Sequence, residues 1–177
     1  MKSQDIVLLL KLVCLDQAKT DDVSLYSFRK LEADTGISKT ELSAGLKRCI
    51  DVGLAARDPR SNLPRVNRRA LLGFLESGIR YVFPAKPGPL ERGVPTSFAA
   101  PVTQNKLMSA GDTPLVWPDV TGKTKGQAVS PLYKTVPQAA NNDEALYGYL
   151  ALVDALRLGN PREVAFASEL LREKFEK

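Results

Sequence analysis

The sequence predicts a mainly α protein with a small β element, and three observations predict it. Apolar residues recur at helical spacing through most of the first 83 positions, prolines and glycines crowd the stretch that follows, and two strong helical stripes close the chain. They divide the 177 residues into a helical domain with a short β wing at 1–83, a Pro/Gly-rich irregular arm or linker at 84–130, and a C-terminal helical hairpin at 131–177. A chain of this length can bury a sizeable core.

Residues 3–15 read as the first helix. Ser3 can cap it, Asp5 suits the positive end of its dipole, and Ile6, Leu9, Leu10, Val13 and Cys14 recur on one side. The polar stretch 16–24, with Asp21 and Asp22, reads as a loop. From Tyr26 to Leu54, apolar Phe28, Leu31, Ile37, Leu42, Leu46 and Ile50 give a short helix, a turn at Thr35 and Gly36, and a second helix folded back across the first. Ser38 is a good N-cap, Glu41 three residues on can close a capping box, and Gly53 ends the helix. Stepping about 100° per residue from Leu42 gathers Leu46, Cys49 and Ile50 on the inner face. Thr40, Ala44, Lys47, Arg48 and Asp51 fall on the outer one.

That outer face is small, polar and partly basic. Small residues let a helix sit deep in a major groove, Ser and Thr bond base edges or phosphate, and Lys or Arg reach phosphate or guanine. Any helical hairpin in a globular protein also has one buried and one solvated face, so a purely structural reading stands beside this one. After Gly53, Leu54 to Arg57 reads as a short strand, and Asp58 to Arg65, punctuated by Pro59 and Pro64, as a turn in the place of a wing. The second wing strand is poorly marked, because Asn62 to Val66 does not alternate.

The run LEADTGISKTELSAGLKRCIDVGLAAR resembles the winged helix-turn-helix of bacterial transcriptional regulators of the MarR and ArsR kind. In those proteins a Gly-Ile-Ser-type turn leads into a Leu-x-x-x-Leu recognition helix ending in Gly-Leu. The resemblance covers roughly residues 3–66. It implies a winged helix-turn-helix that binds double-stranded DNA. Ser38, Lys39, Thr40, Ser43, Ala44 and Lys47 would then face base edges, and Arg48, Arg57, Arg60, Arg65, Arg68 and Arg69 would neutralise phosphates. Modules of this kind mostly bind pseudo-palindromic sites as two-fold dimers.

The charge distribution agrees. Net charge is +5 and the isoelectric point about 9.2, which is mild, so its location matters more than its size. Residues 1–51 carry eight basic and eight acidic side chains, 52–83 carry six against two, and 84–177 eleven against ten. The surplus follows directly on the helical pair.

Asn67 can cap a helix from Arg68 to Ser77, with Ala70, Leu71, Phe74 and Leu75 inward and Gly78 ending it. Arg68 and Arg69 on its first turn oppose the helix dipole, a small cost that an anion nearby would offset. Ile79 to Phe83 reads as a strand. The stretch 84–101 holds five prolines and two glycines, which disfavours helix and regular sheet alike. Residues 104–109 can make a helical turn, and Leu115 to Trp117 a short strand whose tryptophan docks on a core. Ser130 and Pro131 start a short helix ending before Pro137. Asn141 or Asn142 caps a helix from Glu144 to Leu158, and Arg162 to Phe175 folds back on it. The stripes of this hairpin are wide for two helices, so the N-terminal domain or another chain must cover them, and the hairpin is the candidate dimer or partner contact.

Several chemistries are excluded or weak. The chain has no histidine, which removes His-dependent triads, general bases and metal ligands. Cys14 and Cys49 lie on apolar helical faces and read as buried reduced thiols. Gly122-Lys123-Thr124 fails as a phosphate loop, because Trp117 stands where the leading glycine belongs. Ser27-x-x-Lys30 has the spacing of some serine hydrolases but no flanking signature. The longest apolar run, Ile6 to Leu15, is short and contains Lys11, so neither a membrane span nor a leader is expected, and the protein reads as cytoplasmic. The expectation is a DNA-binding transcriptional regulator with no enzymatic activity, no cofactor and no metal. The alternative is a protein-interaction module, antitoxin-like in layout, that holds a partner through residues 84–177.

Overall fold

The computed structural model describes residues 1–19, 22–103 and 113–176; the helical turn expected at 104–109 lies outside them. The chain is mainly helical with little sheet. In order, α1 (Ser3–Gln17), α2 (Phe28–Thr35) and α3 (Lys39–Asp51) are followed by a hairpin of β1 (Ala55–Arg57) and β2 (Pro64–Val66), then α4 (Arg68–Ser77) and α5 (Ile79–Val82). Three strands follow, β3 (Leu90–Thr96), β4 (Leu115–Pro118) and β5 (Thr124–Ala128), and then α6 (Val136–Asn142), α7 (Glu144–Leu158) and α8 (Pro161–Glu176).

α1 is buried from Asp5 to Leu15, on every side rather than along one stripe. Ile6 to Leu10 contains no polar residue, and a helix apolar all round belongs inside a core. α2, α3 and β2 cover part of it and α7 another part. Lys11 is, with Asp5, one of two buried charges in this helix, and two carboxylates hold it, Asp34 at 2.9 Å and Asp143 at 2.8 Å. Burial alone would lower the Lys11 pKa, but its bonds to Asp143 and Asp34 outweigh that and raise it.

α7 is the second central helix, buried continuously from Gly148 to Arg157. The two closing helices form as the periodicity predicts. Their stripes, however, are spent within the chain: α7 packs on α1, α5, α6, α8 and β3, and α8 turns Ala167, Leu170, Leu171 and Phe175 inward. Of the two covers expected for these stripes the N-terminal domain supplies one, α1 packing on α7, so the buried stripe of the hairpin is core and not a dimer contact.

Within the Pro/Gly-rich arm the strand expected at Leu115 to Trp117 forms as β4, whereas β3 and β5 form against expectation. β3 pairs antiparallel with β4 and with β5, and β4 and β5 pair in parallel, so the three strands close on themselves. Pro95 within β3 offers no N–H, and its carbonyl accepts from the Tyr147 hydroxyl of α7 at 2.6 Å. Trp117 docks on the core as expected, 1% exposed, and its indole N–H reaches Asp154 of α7 at 2.5 Å. Asp154 also takes the Thr96 hydroxyl at 2.9 Å and the Arg157 guanidinium at 2.6 Å. Burial pushes its carboxyl up, against the pull of Arg157, Thr96 and Trp117.

Other corrections are local. Ile79–Val82 is a helical turn and not a strand, since Arg80 donates to the Arg157 and Gly159 carbonyls at the end of α7 and holds the segment there. The helix expected to stop before Pro137 instead begins at Val136, where proline in a first turn lacks only an N–H the helix does not use. Asp143, not Asn141 or Asn142, caps α7 by accepting from the Leu146 amide at 3.0 Å. Lys2 precedes α1 as its cap residue and Ser3 lies inside the helix, while the Asp5 carboxylate takes the Lys2 amide at 2.7 Å. Cys14 and Cys49 are buried and unbridged, and burial pushes both thiols up to about 12. Among the described residues, no helix is long and apolar enough to cross a membrane.

Candidate nucleic-acid interface

α2 and α3 are joined by a turn in which Gly36 takes the left-handed conformation (φ +69°) that ends α2. Thr35 locks the turn from inside: its hydroxyl donates to the Leu31 carbonyl at 2.6 Å, and its carbonyl accepts from the Thr135 hydroxyl at 2.6 Å. Ser38 caps α3 as expected, accepting from the Glu41 amide at 3.4 Å. The capping box does not close. Glu41 instead takes Lys2 and Gln4 of α1, and those bonds hold its carboxyl below the usual range.

α3 buries Leu42, Gly45, Leu46 and Cys49. Ser38, Lys39, Thr40, Ser43 and Lys47 are exposed and Ala44 half-buried, so the face that periodicity turned outward does face solvent. Lys39 lies 3.7 Å from Glu32, whereas Lys47 has no charged partner among the described residues.

The arginines divide into three groups. Arg48 is removed from the phosphate set: it makes a two-point contact with Asp5, Nε at 2.9 Å and Nη2 at 2.7 Å, and Asp5 is fully buried. Gly45 makes room for this pair, since a Cβ there would lie 2.7 Å from the Asp5 carboxylate. Arg65 and Arg68 both bind the carboxylate of Asp16 at the end of α1. Arg57, Arg60 and Arg69 have no carboxylate partner among the described residues, though Arg57 donates to the Asn62 carbonyl at 2.9 Å.

The β1–β2 hairpin carries Arg57 and Arg60, and α4 carries Arg69. Ala55, Ala56 and Arg57 face Val66, Arg65 and Pro64, so the poorly marked second strand does form. Its loop is organised by Asp58, which accepts from the Ser61 amide at 2.8 Å, the Ser61 hydroxyl at 3.0 Å and the Arg60 amide at 2.9 Å. Those bonds, from Ser61 first and then Arg60, hold the Asp58 carboxyl low. Arg60 is exposed on a loop whose backbone is fixed from within.

No family model, curated protein or solved structure matches the chain. The interface therefore stands on its own geometry. Asp16 is the residue that sequence reading missed, because it is 49 and 52 positions from its partners and reads as the start of a loop. The serine of Ser27-x-x-Lys30 caps α2 by accepting from the Lys30 amide, and Lys30 pairs with Asp34 at 2.5 Å. These are structural roles. The Gly-Lys-Thr triplet lies at the connection into β5, where Asp119 accepts from Thr121 in a tight turn.

Proposed function

We propose that this protein is a sequence-specific DNA-binding transcriptional regulator whose recognition helix is α3, with β1 and β2 as the wing of a winged helix-turn-helix. One observation carries the reading. The exposed face of α3, with Lys47 unpaired, is followed directly by a hairpin bearing Arg57 and Arg60 and by Arg69 on α4, all without carboxylate partners among the described residues. A polar, small-residue helix reads base edges, and the adjoining guanidiniums take phosphates and set the register. Ser38, Lys39, Thr40, Ser43, Ala44 and Lys47 are the base-facing set. Arg57, Arg60 and Arg69 are the phosphate set, without Arg48.

Selection of binding sites from random duplexes, run beside a mass measurement in solution, tests the proposal. A selected motif with two-fold symmetry and a mass of two chains supports a regulator acting as a dimer. Lys47→Ala and Ser43→Ala should relax preference at individual bases, while Arg57→Ala should weaken all sequences alike. Equal binding by all three variants and the parent sinks the assignment.

A second reading has its own observation. Tyr81 is 79% exposed and Val82 52%, adjacent residues on the outer side of α5, an apolar pair of the sort that partner proteins cover. On that reading the chain is an interaction module, antitoxin-like in layout. Stoichiometric co-purification of a second protein, abolished by Tyr81→Ser and without any gel shift, would favour it.

A further inference from the structure

We infer that Arg65 and Arg68 together form a seat for a DNA phosphodiester, which the chain fills with its own Asp16 carboxylate until a duplex displaces it. The inference rests on the DNA-binding reading and deepens it.

The seat is built from three directions. Arg65 comes from β2, Arg68 from the first turn of α4, and Asp16 from the end of α1. Among the described residues one carboxylate serves two guanidiniums, so their charges are only half matched there. Arg68 is also steered from behind, because its Nη1 donates to the Phe175 carbonyl at 3.0 Å while Nη2 takes Asp16. A cation on the first turn of a helix is unfavourable unless an anion sits with it, and in the isolated protein Asp16 is that anion. A phosphodiester offers two anionic oxygens to a guanidinium fork much as a carboxylate does.

The seat can also be reached. The side chains of Arg65, Asp16 and Arg68 are 43%, 33% and 26% exposed, so solvent already screens the pairs and an incoming anion need not open the core. It adjoins the proposed phosphate contacts in sequence: Arg65 follows the hairpin loop that holds Arg60, and Arg69 follows Arg68. Asp16 therefore competes with phosphate, and removing its charge should strengthen binding through these two arginines in particular.

Affinity for a duplex of arbitrary sequence, measured over a salt series, tests this. Asp16→Asn should tighten binding roughly threefold to tenfold and steepen the salt dependence. In an Arg65→Ala/Arg68→Ala background the same change should give no gain. Asp51→Asn, which removes an exposed charge from the end of α3, is the control and should act equally in both backgrounds. Asp16→Ser, run in parallel with a melting curve for each variant, gives a second neutral side chain should Asn disturb the fold. A gain that survives without the two arginines, or no gain while the parent binds duplex, overturns the phosphate seat and leaves the DNA-binding reading intact. A parent protein that fails to bind duplex at low salt overturns that reading and the seat together.

Discussion

Two carboxylates of α1 hold arginines of the candidate interface, and they do so on different terms. Asp5, near the start of the helix, has no exposed side-chain surface and grips Arg48 through two bonds; Asp16, at its end, is one-third exposed and shares itself between Arg65 and Arg68. Desolvation separates them. A buried carboxylate stripped of its cation is left uncompensated, which is costly, whereas an exposed one is taken up by water. The Asp5 pair fixes α3 against α1, while the Asp16 pairs are exchangeable. Position along one helix thus decides whether an arginine belongs to the fold or to the surface.

The strongest way to break this contrast is Arg48→Ala. It leaves Asp5 buried with only the Lys2 amide, and the expected loss is about 2 kcal/mol, below the range for a fully buried pair because Arg48 is itself partly exposed. Arg65→Ala should lose less than about 1 kcal/mol. Urea denaturation of both variants checks it, and equal losses would erase the distinction. Gly45→Ala probes the same contact from one turn earlier on α3. Its Cβ would crowd Asp5 at 2.7 Å, so a loss of about 1–2 kcal/mol is expected. In the Arg48→Ala background that loss should shrink, since the carboxylate is then free to shift.

A third carboxylate cluster extends the comparison to pH. Burial alone would raise the Asp34 pKa, but hydrogen bonds from Lys30 and Lys11 outweigh it and hold the carboxyl below its ordinary value. A folded-state pKa below the unfolded one gives stability that is present above about pH 4 and lost as pH falls through the folded value. Lys11 has the opposite sign. Its raised pKa gives stability that is present below the unfolded value and lost only as pH rises through the folded one. Asp34→Asn should therefore flatten the acid limb of a stability-against-pH curve and leave the slope between pH 6 and 8 (about two units above the carboxylate range) unchanged.

What the sequence revealed tracks how local each cause is. The inner and outer faces of α3 follow from a 3.6-residue period, the caps at Ser38 and Asn67 from residues three apart, and the burial of Trp117 from its chemistry. The fate of Arg48 depends on Asp5, 43 positions away, and no spacing rule connects them. The sheet in the arm depends on β3 meeting strands about 20 to 40 positions further on, which its prolines and glycines conceal. Ile79 to Phe83 has strand-like composition, but packing against α7 and the Arg80 bonds to the end of that helix override it. The hairpin stripes at the C-terminus were legible as apolar and in need of a cover; that the cover is α1 rather than another chain was not, because α1 alone reads as amphipathic.

Arg60 gives the smallest effect on the fold and the cleanest one on function. It is exposed, it lies on a loop fixed by Asp58 rather than by its own side chain, and among the described residues it has no carboxylate to release. Arg60→Ala should leave the melting curve unmoved while reducing the slope of log affinity against log salt by about 0.9 for the one phosphate contact removed. Arg48→Ala should do the reverse, lowering stability with little change in slope at temperatures where the variant remains folded. If Arg48→Ala flattens the slope and Arg60→Ala does not, the arginine that contacts phosphate is the one bound to Asp5, and burial does not decide between the two roles.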